Sequence, residues 1–289
     1  MTGWLDTLLQ GLLLGGLYAL FAMGLALMFG VMRLVNIAHG DCIVLAAFLA
    51  IGLALGTGAG PVFLLLMVLP LMFGAGYALQ RGVLNRTLGK DLLPPLLVTF
   101  GLSIILQNVL LEIFSADSRS LSAGGFESLS LQLPGGIAIG WLPLITLLAA
   151  IALTEGLELV FSHTRLGRAF RATSDDPEAA QLQGIDHRHV YALATALAFA
   201  VITVAGIFLA LRTTVAPSDG PAYLLYAFEA VIIGGLGSFR GTLAGGLVLG
   251  VAQAIGFRLD PGWGILAGHL GFLAALLVRP QGLFPRTRD

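Results

Sequence analysis

Few residues in this chain are of a type that does chemistry. Asn36-Ile-Ala-His39-Gly-Asp41 sets an amide, an imidazole and a carboxylate within one short polar break between apolar runs. Glu229, His269, Glu155 and Glu158 are ionisable residues inside other apolar stretches, where charge is costly and often functional. Glu155 and Glu158 precede an arginine-rich segment and are expected to pair with Arg165 or Arg168. Glu229 is expected to cap or pair locally, and His269 to hydrogen-bond between helices. The five histidines are dispersed or sit in one loop, and Cys42 is the only cysteine. No metal site and no intrachain disulfide is therefore expected. The Gly89-Lys90 pair is followed by Asp91 and lacks the upstream glycine of a phosphate cradle. The chain itself is not expected to bind a nucleotide or any cofactor. An integral membrane enzyme would need clustered His, Asp or Ser at helix ends, and only the 36–41 cluster comes close.

The elements that must position these groups are membrane helices. Of 289 residues, 57% are hydrophobic and 11% charged, where a soluble domain carries about 25% charged residues. The formal net charge of −1 leaves no basic footprint for nucleic acid. The fold class is all-α, a polytopic integral membrane protein forming a single transmembrane domain over 1–289. A spanning helix needs about 20 apolar residues. Spans are expected near residues 8–30, 41–57, 61–82, 95–114, 141–161, 190–211, 223–238, 241–257 and 263–279, with boundaries uncertain by about 2–4 residues. The second, seventh and eighth are short. The first reads as a retained helix rather than a cleaved signal, since no basic residue precedes it. If one short segment is re-entrant there are eight spans and the N-terminus lies inside; with nine it lies outside.

Arginine and lysine mark the cytoplasmic side of membrane proteins. Arg81, Arg86 and Lys90 place the 82–94 connection there, Arg165, Arg168, Arg171 and Arg188 the loop around 162–189, and Arg279, Arg286 and Arg288 the C-terminus. The 115–140 connection is then external, with a small hairpin or ordered flap as its expected form. Glycines at four-residue spacing, among them Gly11…Gly15, Gly241…Gly245 and Gly246…Gly250, allow close helix approach in lipid. Breaks recur at 31–41, at Pro217, Gly220 and Pro221, and in the glycine-rich run from 233 to 241. Irregular backbone at membrane depth is tolerated where it is buried in protein or lines a wet cavity. The 31–41 break is thus either a broken helix beside a transport path or an interfacial loop with Arg33 snorkelling to the surface.

The polar loop at 163–189 carries its own helix signals. Ser174, Asp175 or Asp176 can cap the free N–H groups of a helix start. Pro177 suits the first helical position. Glu178 places negative charge at the positive helix end, and Gly184 can close the helix in a left-handed cap. The predicted helix has about two turns and is too short to be stable alone. It is either an ordinary loop helix or a surface for docking another protein.

Glu178-Ala-Ala, three residues, then Gly184 resembles the EAA loop of permeases in binding-protein-dependent ABC importers. The Ile-x-Leu-Pro element of that family's fuller pattern is missing downstream, which implies a divergent branch. Arg165-Leu-Gly-Arg-Ala-Phe-Arg-Ala-Thr, Phe29-Gly-Val-Met-Arg-Leu-Val-Asn-Ile-Ala-His-Gly-Asp and Ile233-Gly-Gly-Leu-Gly-Ser-Phe-Arg-Gly-Thr-Leu-Ala-Gly-Gly resemble the branched-chain amino acid (Liv-type) permeases, the H-type subunit in particular. The resemblance spans nearly the whole chain.

That resemblance implies a permease subunit in a bacterial inner (plasma) membrane that translocates branched-chain or related amino acids. The implied partners are two ATP-binding cassette subunits, a second permease subunit forming a heterodimer, and a periplasmic substrate-binding protein. It implies that Pro177, Glu178, Ala179, Ala180 and Gly184 form the coupling helix contacting the ATPase. It also turns the 31–41 break toward a pathway element, with Asn36, His39, Asp41 and Glu229 as candidates along it. The alternative is a secondary carrier or channel for small amphiphilic solutes such as amides or urea. The scarcity of polar residues at mid-span counts against ion coupling.

Overall fold

The computed structural model describes residues 2–89, 93–133 and 136–284. Lys90, Arg286 and Arg288, used above to orient the chain, lie outside the described residues. The described chain runs through eleven helices: α1 (Thr2–Met32), α2 (His39–Thr57), α3 (Pro61–Gly82), α4 (Leu93–Phe114), α5 (Trp141–His163), α6 (Arg165–Asp175), α7 (Pro177–Leu182), α8 (His187–Arg212), α9 (Gly220–Gly234), α10 (Phe239–Leu259) and α11 (Gly264–Val278). Seven stretches, from α1–α5, α8 and α10, are long and apolar enough to cross a membrane. The protein is an all-α, multi-pass membrane protein.

The nine expected spans all appear as helices, and their lengths divide them. The second and eighth grow to 19 and 21 residues. The seventh and ninth become α9 and α11, each 15 residues long. At 1.5 Å per residue such a helix covers about 22 Å, short of a hydrocarbon core about 30 Å thick. Pro221 at the start of α9 and Gly235 at its end (φ +105°) set its limits.

The helices α1 and α8 are buried along most of their length and form the centre, while α3, α4 and α5 present apolar faces outward. A helix that is apolar all round belongs in such an interior. The expected glycine contacts join α1 to α10. A Cβ on Gly246 would strike the backbone of Ala19, and one on Gly250 the backbone of Gly15 and Gly11. Backbones this close gain dispersion contacts that lipid cannot supply.

Helix directions define two faces. The C-terminal ends of α1, α3 and α5, the N-terminal end of α8 and the helices α6 and α7 gather at one face. There Phe161 packs on Phe170 and Phe239, and Ser174 Oγ donates to the Gly30 carbonyl at 2.8 Å. After α11 the chain returns to the same end, where the N–H groups of Leu283 and Phe284 donate to the carbonyls of Ile233 and Gly234. The opposite face holds the N-terminal end of α1 and the C-terminal ends of α8 and α10. The expected hairpin lies there too. Strand β1 (Ser130–Leu133) pairs antiparallel with β2 (Ile137–Gly140), with Ser130 opposite Gly140. Gln10 of α1 donates to the Ala138 carbonyl at 2.9 Å, and Arg119 and Val215 exchange backbone hydrogen bonds.

Candidate functional site

Three groups of residues stand out, one on the α7 face and two halfway through the bundle. At the surface, Thr164 Oγ1 accepts from Gly167 N–H to start α6, and Asp176 Oδ1 accepts from the N–H groups of Glu178 and Ala179 at 2.9 and 3.0 Å to start α7. Of the three capping candidates, Asp176 caps α7, because its extended backbone (φ −150°) aims the carboxylate back over the first turn. Pro177 follows in the first turn. At the other end Gly184 takes φ +84°. Its N–H donates to Gln181 O and the Ile185 N–H donates to Ala180 O, the paired bonds of a Schellman closure. The helix has six residues rather than the two full turns expected, since Gln183 already belongs to the cap.

Within α7, Glu178 and Ala179 are exposed and Ala180 is buried. Ala180 packs inward; Ala179 alone of the pair faces out. Leu182, which the residue pattern did not single out, is 91% exposed. A leucine left this bare on a capped helix is a signal that only the three-dimensional arrangement supplies. Asp186 caps α8 and receives Arg81 at 3.3 Å, so the loop is also tied to α3. Partial burial opposes ionisation of Asp186. The hydrogen bonds from Arg81 and from the His189 and Arg188 N–H groups outweigh it and hold the carboxyl below the usual range.

The second group is the 33–41 break. Arg33 takes φ +53°, a conformation costly for a side chain with a Cβ, and turns the chain out of α1. The next residues run back into the bundle, so that α2 begins beside the middle of α1 and α8. His39 Nε2 donates to the Phe21 carbonyl at 2.7 Å, which leaves Nδ1 as a buried acceptor without a partner among the described residues. Asn36 Oδ1 accepts from the Ala38 N–H at 3.0 Å, and Asn36 Nδ2 is buried and, among the described residues, unpartnered. Asp41 Oδ1 accepts from Gln107 Nε2 at 3.0 Å, and Gln107 also reaches Ser103. Thr99 Oγ1 accepts from the Ile37 N–H at 3.2 Å. Asn36, His39 and Asp41 thus lie at one break but meet different neighbours: His39 meets α1, and Asp41 meets Gln107 of α4, with Ser103 beside it and Thr99 against Ile37. Their four-residue spacing in an otherwise apolar helix was the sequence signal available for them. The snorkelling loop does not describe this segment, which is buried in protein from Asn36 to Asp41 except for partly exposed Ile37.

Opposite α2 the chain breaks again. The 213–219 segment descends from the face of the hairpin, and α9 starts where α2 starts. A Cβ on Gly40 would meet the Gly220 carbonyl, and one on Gly220 would meet the Asp41 carboxylate. Two helices running in opposite directions thus begin at one point, each with the positive end of its dipole there.

Glu229 is separate from that site. It lies farther along α9, and Glu229 Oε1 accepts from His269 Nδ1 of α11 at 2.5 Å. Tyr226 stacks on His269 and on Tyr18, and Tyr18 Oη donates to Gln253 Oε1 at 2.5 Å. Glu229 Oε2 and Gln253 Nε2 are buried without partners among the described residues. The local pairing expected of Glu229 is an interhelix pair, as expected of His269. Glu155 does not pair with Arg165 or Arg168. It is bound at 2.7 and 3.1 Å by Arg240 from α10, which reaches it because α5 and α10 pack side by side.

Discontinuous helices meeting halfway across a bundle, with polar groups at the break and an exposed capped helix at one face, are the architecture of membrane transport proteins. The family described as branched-chain amino acid transport system / permease component matches residues 7–276, and the chain belongs to that family. It is 31% identical to the high-affinity branched-chain amino acid transport system permease protein BraD of Pseudomonas aeruginosa, over 98% of this chain and 96% of that one. It is 30% identical to the corresponding protein LivH of Escherichia coli K12, with the same coverage. Among solved structures, PsaBC from Streptococcus pneumoniae in complex with Fab is similar in fold, with a TM-score of 0.50 and 14% identity over 95% of this chain and 92% of that one.

Proposed function

We propose that this chain is the membrane subunit of a binding-protein-dependent ABC importer in a bacterial inner membrane. It translocates branched-chain or related amino acids, and ATP is hydrolysed by two separate cassette subunits. A second permease subunit completes a heterodimeric pathway, and a periplasmic binding protein delivers substrate. The whole chain acts as one transmembrane domain. The loop at 162–189 faces the cytoplasm and the 115–140 hairpin region faces out, which puts the N-terminal end of α1 outside.

The observation that carries this reading is α7. It is capped at both ends, raised on the bundle surface, and bare at Glu178, Ala179 and Leu182. Pro177 and Gly184 set its ends. Such a rigid, exposed turn suits a groove in an ATPase subunit. Its mounting suits force transfer: Ser174 holds Gly30 at the end of α1, and Asp186 holds Arg81 at the end of α3. Movement of α7 is passed to the helices that frame the break around Asn36, His39 and Asp41, and along α9 to Glu229. Discontinuous helices at mid-depth are where transporters place their substrate sites.

The test is a tagged pull-down from native membranes in mild detergent, with ATPase activity assayed on the eluate and vanadate-sensitive leucine uptake assayed in the same cells. Two ATPase subunits and a second permease are expected to co-purify. Gly184→Asp is expected to leave the chain inserted but to lose the ATPases and uptake. A chain that purifies alone and still transports in liposomes, collapsing with a protonophore at constant ATP, would overturn the importer reading in favour of a carrier.

A further inference from the structure

Resting on the importer reading, we infer that a cavity at the external face is a receiving site for a zwitterionic amino acid with an apolar side chain. The cavity holds about 380 Å³ and lies between the outer ends of α1, α8 and α10. That volume falls within the roughly 300–1,000 Å³ of small-molecule sites. Its lining combines both signs of charge with apolar surface: Asp6 and Leu14 from α1, Arg212 from the end of α8, and Phe257 and Arg258 from α10.

The two arginines differ in how they are held. Arg258 is exposed and tied to α1, its Nη1 donating to the Gly3 carbonyl at 2.8 Å and to Thr7 Oγ1 at 3.1 Å, with its guanidinium over the Trp4 ring. Arg212 is mostly buried and, among the described residues, donates to the Leu13 carbonyl alone, at 3.0 Å. No carboxylate of the described residues lies within 4 Å of it. A guanidinium offers five donors, and those that Leu13 does not take remain open to an anion in the cavity. Asp6 is likewise underused, with one long contact to Gln10 at 3.4 Å. An amino acid supplies both missing partners, its carboxylate to Arg212 and its ammonium to Asp6, while Leu14 and Phe257 receive the side chain. Tyr18 lies one helical turn below Leu14 and is bonded to Gln253, which adjoins Ala254 of the cavity wall. Gln253 Nε2 and Glu229 Oε2 lack partners among the described residues.

The experiment uses the intact transporter in nanodiscs without binding protein. Binding of radiolabelled L-leucine is competed by leucinamide, which lacks the carboxylate, and by 4-methylpentanoate, which lacks the ammonium. The unmodified complex should bind leucine best. Removing either charge-assisted hydrogen bond should weaken leucine binding by about 10- to 100-fold. Arg212→Gln should make leucine and leucinamide equivalent, and Asp6→Asn should make leucine and 4-methylpentanoate equivalent. Arg212→Lys should recover part of the preference, which a purely structural arginine would not show. The thermal midpoint of each variant complex checks that it is folded, and Asp6→Asn, near the outer end of α1, keeps the test open if Arg212→Gln unfolds. Variants with unchanged affinity and unchanged analogue ranking, or an unmodified complex that binds no leucine, would overturn the site. Vanadate-sensitive ATPase activity in that same complex would leave the importer reading standing.

Discussion

Gly40 and Gly220 stand against each other where α2 and α9 begin, so closely that a side-chain carbon on either would collide with the partner segment's carbonyl or with Asp41. The contact joins two breaks that lie far apart in the chain and places them at one depth.

Gly40→Ala is expected to lower the thermal midpoint of the purified complex. A methyl group would meet a backbone carbonyl, which cannot rotate away as a side chain can, and overpacking of this kind costs about 1–3 kcal/mol. Uptake should fall further than stability does, because α2 and α9 must both shift. Differential scanning fluorimetry beside an uptake assay checks this; an unchanged midpoint with unchanged uptake would show that the breaks are not held together by this contact.

On the proposed coupling role, Leu182→Ala is expected to weaken ATPase subunit binding by tenfold or more, since burying an exposed leucine side chain is worth about 1.5–3 kcal/mol. The helix itself should persist, because its caps are Asp176 and Gly184. Co-purification yields, with circular dichroism as the control for folding, read the two effects separately.

Asp176→Ala removes the acceptor for two N–H groups and is expected to destabilise α7 by about 1 kcal/mol, with Asp176→Asn nearly neutral. ATP hydrolysis uncoupled from uptake is the expected signature in Asp176→Ala. If the alanine variant couples as well as the asparagine variant, the cap does not matter to force transfer.

Glu229→Ala and His269→Ala are expected to be non-additive. Each leaves a polar group stranded inside the bundle, so the double variant should recover about 0.5–3 kcal/mol relative to the sum. A double-mutant cycle on chemical unfolding in detergent measures this coupling; strict additivity would mean the 2.5 Å contact carries no net energy.

Arg240→Ala is expected to change stability little, and less still at high salt, because both side chains of its pair with Glu155 are about half exposed and screened by solvent. The same unfolding measurement at low and high salt checks it. A large loss would show that the pair is shielded by a neighbouring subunit.

The sequence by itself determined the class of the molecule, the helices and the short capped helix at the surface. Those depend on local quantities: a run of apolar residues long enough for a bilayer, arginines beside it, and Asp176, Pro177 and Gly184 with fixed backbone preferences. Nearly every expected span appeared within a few residues of its place. Tertiary structure decided the rest. Only packing shows that α9 and α11 stop short of a full crossing, that Glu155 turns to Arg240 rather than to the adjacent arginines, and that Glu229 belongs with His269 instead of with Asn36, His39 and Asp41. It also raised residues the pattern had passed over, Gln107 and Ser103 against Asp41, Tyr18 and Gln253 beside Glu229, and Leu182 in the open. The reason is physical. A helix or a cap is specified by neighbours within about four positions, whereas a buried polar group is satisfied by whatever atom the fold carries to it, at any distance along the chain.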